Sequence, residues 1–91
     1  MVSFSRKSEK ENRRSSGESD RLLVLHNDDV NTFEHVMETL CEVCSHGEIQ
    51  AEQCTLITHF VGKCEIKRGN RDDLYSLKEL LIKEKLSVTI E

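Results

Sequence analysis

Leu22-Leu-Val-Leu-His-Asn-Asp-Asp-Val-Asn-Thr-Phe-Glu-His-Val-Met-Glu-Thr-Leu40 packs a strand, a polar turn and the start of a helix into one short run. The apolar residues Leu22–Leu25 are of strand length. Asn27, Asp28, Asp29 and Asn31 then crowd acceptor-bearing side chains into a single connection. After them the period changes. Phe33, Val36, Met37, Leu40, Val43 and Cys44 recur at helical spacing, which leaves Glu34, His35, Glu38 and Glu42 on the wet side. Asn31 reads as the N-cap, with Glu34 three places on, so the pair has the form of a capping box. The Asp and Asn oxygens are thus held between a rigid strand and a rigid helix. Two readings stay open for them. Asn and Asp dominate solvated turns, and a helix start welcomes carboxylates with no ligand present. The other reading is that this turn, held between two rigid elements, is where the function lies.

Outward from this stretch, 91 residues bound the chain to one small domain. Seventeen acidic residues against thirteen basic ones leave a net charge of −4, which argues against general affinity for nucleic-acid phosphates. No apolar run is long enough to span a bilayer, and the N-terminal segment lacks the apolar middle of a signal peptide. The expectation is a cytoplasmic chain without a membrane partner. Met1–Asp20 is rich in Ser, Arg, Lys and Glu, with Phe4 the only sizeable hydrophobe after Val2. Such a composition does not bury enough apolar surface to offset its ordering entropy. A flexible extension over 1–20 and a folded domain over 21–91 are expected.

Beyond the first helix, Gly47 in Ser45-His46-Gly47 is expected to supply a left-handed cap. A second helix is predicted from about Ile49 to Val61, with Ala51, Cys54, Thr58 and Val61 as its buried stripe, Ile57 at the flank and Gly62 as the stop. Lys63-Cys64-Glu65-Ile66-Lys67 alternates as a half-buried strand does, and Gly69-Asn70 makes the next turn. Asn70 with Asp73 starts a third helix, whose apolar side is Leu74, Leu77, Leu80 and Leu81. Leu86–Ile90 closes the chain as an alternating strand. The expected fold class is α+β, in the order β-α-α-β-α-β: a small three-stranded, mainly antiparallel sheet with three helices packed on it.

Cys41-x-x-Cys44, with His46, Cys54, Cys64, His26, His35 and His59, raises the possibility of a zinc or redox module. Against it, Cys41 and Cys44 lie within a strongly periodic helix, and Cys54 and Cys64 fall on predicted core positions. Structural zinc sites want two ligand pairs at familiar spacing, and only one pair is present. Reduced core cysteines and no metal or cofactor are therefore expected. No nucleophile elbow, Walker loop or HExxH motif appears, so an enzyme is not expected. His59 lies near the end of the second helix. Packed beside the first helix it would face the Asn27–Asp29 turn, which spacing alone leaves open.

The run Asn27-Asp28-Asp29-Val30-Asn31-Thr32-Phe33-Glu34-His35-Val36 closely resembles the Asn-Asp-Asp-x-Thr-Pro-Met-Glu-x-Val signature of the bacterial ClpS adaptors. The likeness continues through Ala51, His59, Gly62 and Lys63 to the closing Leu86, Thr89, Ile90 and Glu91, and does not reach the N-terminal extension. The resemblance implies an adaptor that recognises hydrophobic N-terminal residues (N-degrons) of substrate proteins. It would deliver them to the N-terminal domain of a AAA+ Clp unfoldase for proteolysis. By residue it implies that Asn27, Asp29 and His59 hold the substrate's free α-amino group, with Asp28 in support. It also implies that Leu25, Asn31, Phe33, Val36, Thr55, Thr58 and Leu86 form the side-chain pocket.

The chain departs from the family pattern at several of these places. Asn31-Thr32-Phe33 stands where Thr-Pro-Met is usual, so a ring is expected at the pocket's gate. Thr55 and Thr58 replace residues that are usually apolar, which is expected to make that wall more polar. After Lys63, Cys64-Glu65-Ile66-Lys67 replaces a Cys-Gly-Val-like strand, and the third-helix region that bears the family's docking surface is several residues shorter. Two alternatives stand beside the adaptor: the metal or redox module, and a docking domain like the C-terminal domain of the ribosomal stalk protein. The first needs Cys41 and Cys44 accessible beside His46. The second has a related fold but lacks the Asn-Asp-Asp turn.

Overall fold

A strand buried along three consecutive residues needs a neighbour on each side, and β1 (Arg21–His26) has them. In the computed structural model, which describes residues 20–91, it is the middle of a three-stranded sheet of order β2-β1-β3. The expectation of a flexible extension lies, except for Asp20, outside the described residues. The other elements are α1 (Phe33–Cys44), α2 (Glu48–Val61), β2 (Lys63–Gly69), α3 (Arg71–Lys83) and β3 (Ser87–Ile90). Both strand pairings are antiparallel, so the sheet is wholly antiparallel. The order β-α-α-β-α-β is the one predicted.

Leu23 and Leu25 point to the helical side, where they join Leu40, Cys44, Ala51, Cys54, Ile66, Leu74, Leu81, Leu86 and Val88 in one core. Val24 turns to the other face, in register with Glu65 and Thr89. The register between β1 and β2 shifts between Leu23 and Val24: Leu23 faces Lys67 and Val24 faces Glu65, so Ile66 has no ladder partner. That bulge turns Ile66 into the core, and its carbonyl accepts from Nε2–H of buried His46 at 2.8 Å. A carbonyl only accepts, so the hydrogen is on Nε2. Nδ1 of His46 is left without a partner.

Several local expectations change. Thr32, not Asn31, caps α1, its Oγ1 accepting from His35 N–H at 3.1 Å. Asn31 is drawn away because its amide serves the turn and a distant carbonyl, described below. Ser45, not Gly47, takes the left-handed conformation after α1 (φ 60°), and Gly47 is the extended N-cap of α2. Two residues separate Ser45 from α2's first turn, which leaves Gly47 to start the next helix. On α2 the buried stripe is Ala51, Cys54, Thr55 and Thr58, while Val61 and Ile57 are exposed. The stripe follows positions i, i+3, i+4 and i+7, and at Val61 the helix is already leaving the core towards β2. On α3, Asn70 Oδ1 accepts from Asp73 N–H at 2.9 Å as predicted, and Leu74 and Leu81 are buried, although Leu80 is exposed.

Candidate functional site

The polar turn is built on one carboxylate. Oδ1 of Asp28 accepts from the backbone N–H of Val30 at 2.8 Å and of Asn31 at 3.0 Å. Its Oδ2 accepts from the side-chain amide of Asn31 at 3.0 Å, and the same amide also donates to Lys85 O at 2.8 Å. His35 Nε2–H donates to Glu84 O at 2.8 Å. Two side chains near the start of α1 thus clamp the corner between α3 and β3, where Lys85 is left-handed (φ 72°), and Leu86 follows directly. The other end of the turn is fixed by Asn27 N–H, which donates to Gly62 O at 2.9 Å. A side chain at Gly62 would meet no atom within 4 Å; its φ of 111° is what favours glycine there.

Burial pushes the Asp28 carboxyl up, but the hydrogen bonds from Asn31 and Val30, with help from Ser87, outweigh it and hold the group below its ordinary value of 3.8. A depressed carboxyl stabilises the fold above its ordinary range and stops doing so as pH falls through its folded value. Wild-type stability is therefore expected to decline below about pH 4 with a component that Asp28→Asn lacks. Urea midpoints measured against pH check this. If the mutant's acid limb is as steep as that of the wild type, the carboxylate does not hold the turn.

This turn, α1, the end of α2 and the start of β3 enclose a cavity of about 370 Å³. Asn27, Asp28, Asp29, Asn31, Phe33, Val36, Thr55, Thr58, His59, Leu25 and Leu86 all line it. Leu25, Thr55, Thr58 and Leu86 are buried and make its inner wall; Asn27, Asp29, Phe33 and His59 are exposed and stand at its mouth. The two threonines do not make that wall as polar as their identity implies. Thr55 donates to Ala51 O at 2.7 Å and Thr58 to Cys54 O at 2.8 Å, so both hydroxyl hydrogens are spent inside α2. At the mouth the situation is the reverse. Among the described residues the side chains of Asn27, Asp29 and His59 form no hydrogen bond, and their acceptor atoms stay available to a ligand. The His59 ring meets Phe60 edge-on, with centroids 4.8 Å apart.

His26 and Thr32 also line the cavity and were not anticipated. His26 is the last residue of β1, and simple alternation after Leu25 sends it to the far face. There Thr89 Oγ1 donates to Glu91 Oε2 at 3.3 Å, and so accepts from His26 Nε2–H at 2.8 Å. Its place directly before Asn27 at the strand end was the available signal.

The cysteines do not assemble a competing centre. Burial pushes the Cys44 thiol up to about 11, with Lys67 partly opposing it, and the Cys64 thiol up to about 12, with Cys54 adding to the effect. Thiolates, the reactive and metal-binding form, are thereby disfavoured. Cys41 is only half-buried, but His46, which a zinc reading would pair with it, is buried and bonded to Ile66. Among the described residues, no group of three or more His, Cys, Asp or Glu is placed to hold a metal ion. Nor, among them, is any helix long and apolar enough to cross a membrane.

Comparisons with known proteins bear on the same region. Residues 18–89 match the model of the family described as "ATP-dependent Clp protease adaptor protein ClpS". Among solved structures, ClpS2 of Agrobacterium tumefaciens, bound to L-phenylalaninamide, is similar at 26% identity with a TM-score of 0.74. The similarity covers 81% of this chain and 96% of that one. No curated protein sequence is similar enough to count as a match.

Proposed function

This chain belongs to the ClpS family of ATP-dependent Clp protease adaptors, and from that we propose that its cavity captures the first residue of N-degron substrates for delivery to a AAA+ Clp unfoldase. One observation carries the reading: an apolar cavity of about 370 Å³ whose mouth bears the unengaged acceptors of Asn27, Asp29 and His59. A chain's α-amine, with a pKa of about 8, is largely ammonium at neutral pH and offers N–H donors and positive charge. Asn27 oxygen, the Asp29 carboxylate and a His59 ring nitrogen are its natural partners. Asp28 spends its oxygens on the turn, so it positions Asn27 and Asp29 and does not compete for the amine. Asn31 likewise serves as wall and clamp.

Leu25, Val36, Leu86, Thr55 and Thr58 receive the side chain, with Phe33 at the gate. Burying one large aromatic side chain removes roughly 150–250 Å² from water, worth about 4–6 kcal/mol before association costs. Association costs consume much of that, so micromolar binding, about −8 kcal/mol, also draws on the hydrogen bonds and charge pairing of the amine. L-phenylalaninamide, seen in the Agrobacterium relative, has the two features this pocket selects for, a free α-amine and an apolar ring. The adaptor passes its cargo to the N-terminal domain of the unfoldase in the cytoplasm and itself catalyses nothing. Fluorescence anisotropy with peptides that differ only in their first residue tests the reading. Phe, Leu, Tyr or Trp first is expected to bind at least about tenfold tighter than Ser, Glu or Lys first. Equal affinity across the series would overturn it.

A further inference from the structure

α2 turns small side chains inward and large ones outward. Ala51, Cys54, Thr55 and Thr58 are buried, whereas Phe60 is 76% exposed in the helix's last turn. Val30, at the tip of the polar turn, is 80% exposed. Neither side chain supports the fold at that exposure. Both stand beside the mouth of the cavity. Val30 lies between Asp29 and Asn31, which line it, and Phe60 packs its ring edge-on against His59, which also lines it. The bond from Asn27 N–H to Gly62 O, 2.9 Å long, ties the start of the turn to the end of α2, so each side chain neighbours a residue of the same cavity mouth.

We propose that Val30 and Phe60 form an apolar subsite for the second and third residues of the bound N-degron. The inference rests on the pocket reading given above. A peptide's α-amine and carbonyl are attached to the same Cα. If Asn27, Asp29 and His59 hold the amine, the chain therefore leaves across the rim that these residues make. The second Cα follows at about 3.8 Å and the third within about 7 Å, so both residues leave the amine site over its immediate sequence neighbours. Charge favours a peptide over a second copy of this chain as the occupant. Two copies meeting at this rim would bring their Asp28–Asp29 turns together, on chains of net charge −4, while a peptide brings an ammonium.

Anisotropy with peptides starting Phe-Leu-Leu and Phe-Ser-Ser on one common tail tests the subsite, using wild type and Phe60→Ser, Val30→Ser and the double variant. Wild type is expected to prefer Phe-Leu-Leu by about fivefold. The double variant is expected to lose that preference, while competition by L-phenylalaninamide, which has no second residue, stays as in wild type. Three results would overturn the subsite. One is equal binding of the two peptides by wild type. Another is a preference that survives both replacements. The third is a self-association in sedimentation that Phe60→Ser dissolves, which would give the rim to a second copy. N-acetylated Phe-Leu-Leu separates this from failure of the pocket itself. If it binds as well as the free peptide, the amine site is wrong and the subsite falls with it; if it does not bind, only the subsite is in question.

Discussion

Acetylating the α-amine of a Phe-initiated peptide is expected to weaken its binding by about a hundredfold or more, near 2.7 kcal/mol. The modification removes the positive charge and all but one of the donors, and places a methyl group among acceptors. Asn27, Asp29 and His59 would then be desolvated without partners, the costly half of the hydrogen-bond balance. Asp29→Ala isolates the charged member. Its carboxylate is exposed in the free protein, so solvent screens it there, and only closure of the ligand over it strengthens the pair. A hydrogen bond to a charged group at about 1.5–3 kcal/mol translates into roughly a ten- to hundredfold loss. Thermal stability should hardly move, because the Asp29 side chain bonds to none of the described residues. Asp28→Ala should differ by losing stability and affinity together, since it removes the acceptors of Val30 and Asn31. Unchanged affinity in Asp29→Ala, with acetylation still harmful, would move the charge recognition elsewhere on the rim.

Leu40→Ala is expected to have the largest effect on stability. Leu40 is wholly buried on α1, within the core that includes Leu23, Leu25 and Cys44. Truncating such a leucine costs about 3–4 kcal/mol, part transfer free energy and part cavity. A folded unit of this size has only about 4–10 kcal/mol to lose. Urea unfolding should show the midpoint falling by about half, with a population of unfolded chain at 37 °C. The functional consequence is particular. α1 also carries Phe33 and Val36 on the cavity wall, so a peptide that binds only the folded form should restore stability. At a hundred times the dissociation constant the recovery is about 2.7 kcal/mol. Loss of stability without recovery by a Phe-initiated peptide would mean that the variant folds with its pocket collapsed.

Parts of the fold could be read without a structure because their causes are local. Asn70 and Asp73 meet within one helical turn, and spacing alone brings them together. The positive φ of Gly62 follows from its position after a helical run. That Asn27, Asp29 and His59 stand at one mouth was a different matter. Composition and period left the turn open between a solvated loop and a binding site, and only the resemblance to ClpS adaptors tied His59 to it. His26 escaped both routes. Its part in the wall depends on the shape of the strand end, while its ring is held by Thr89, far away in sequence.

The chain's own periodicities determined the element order, most of the core leucines and the capping of α3, because each rests on neighbours within one turn or one pleat. Only the tertiary structure decided the rest. Asn31 gave up the helix cap to Thr32 because Asp28 and the carbonyl of Lys85, 54 positions along the chain, together hold its amide nitrogen and so fix where its side chain points. Ile66 left the ladder where a bulge directs it into the core and its carbonyl to His46. Thr55 and Thr58 became a less polar wall than their identity implies because α2's own carbonyls take their hydrogens. In each case a polar group had more than one possible partner. Which one it took depended on what folding had already buried.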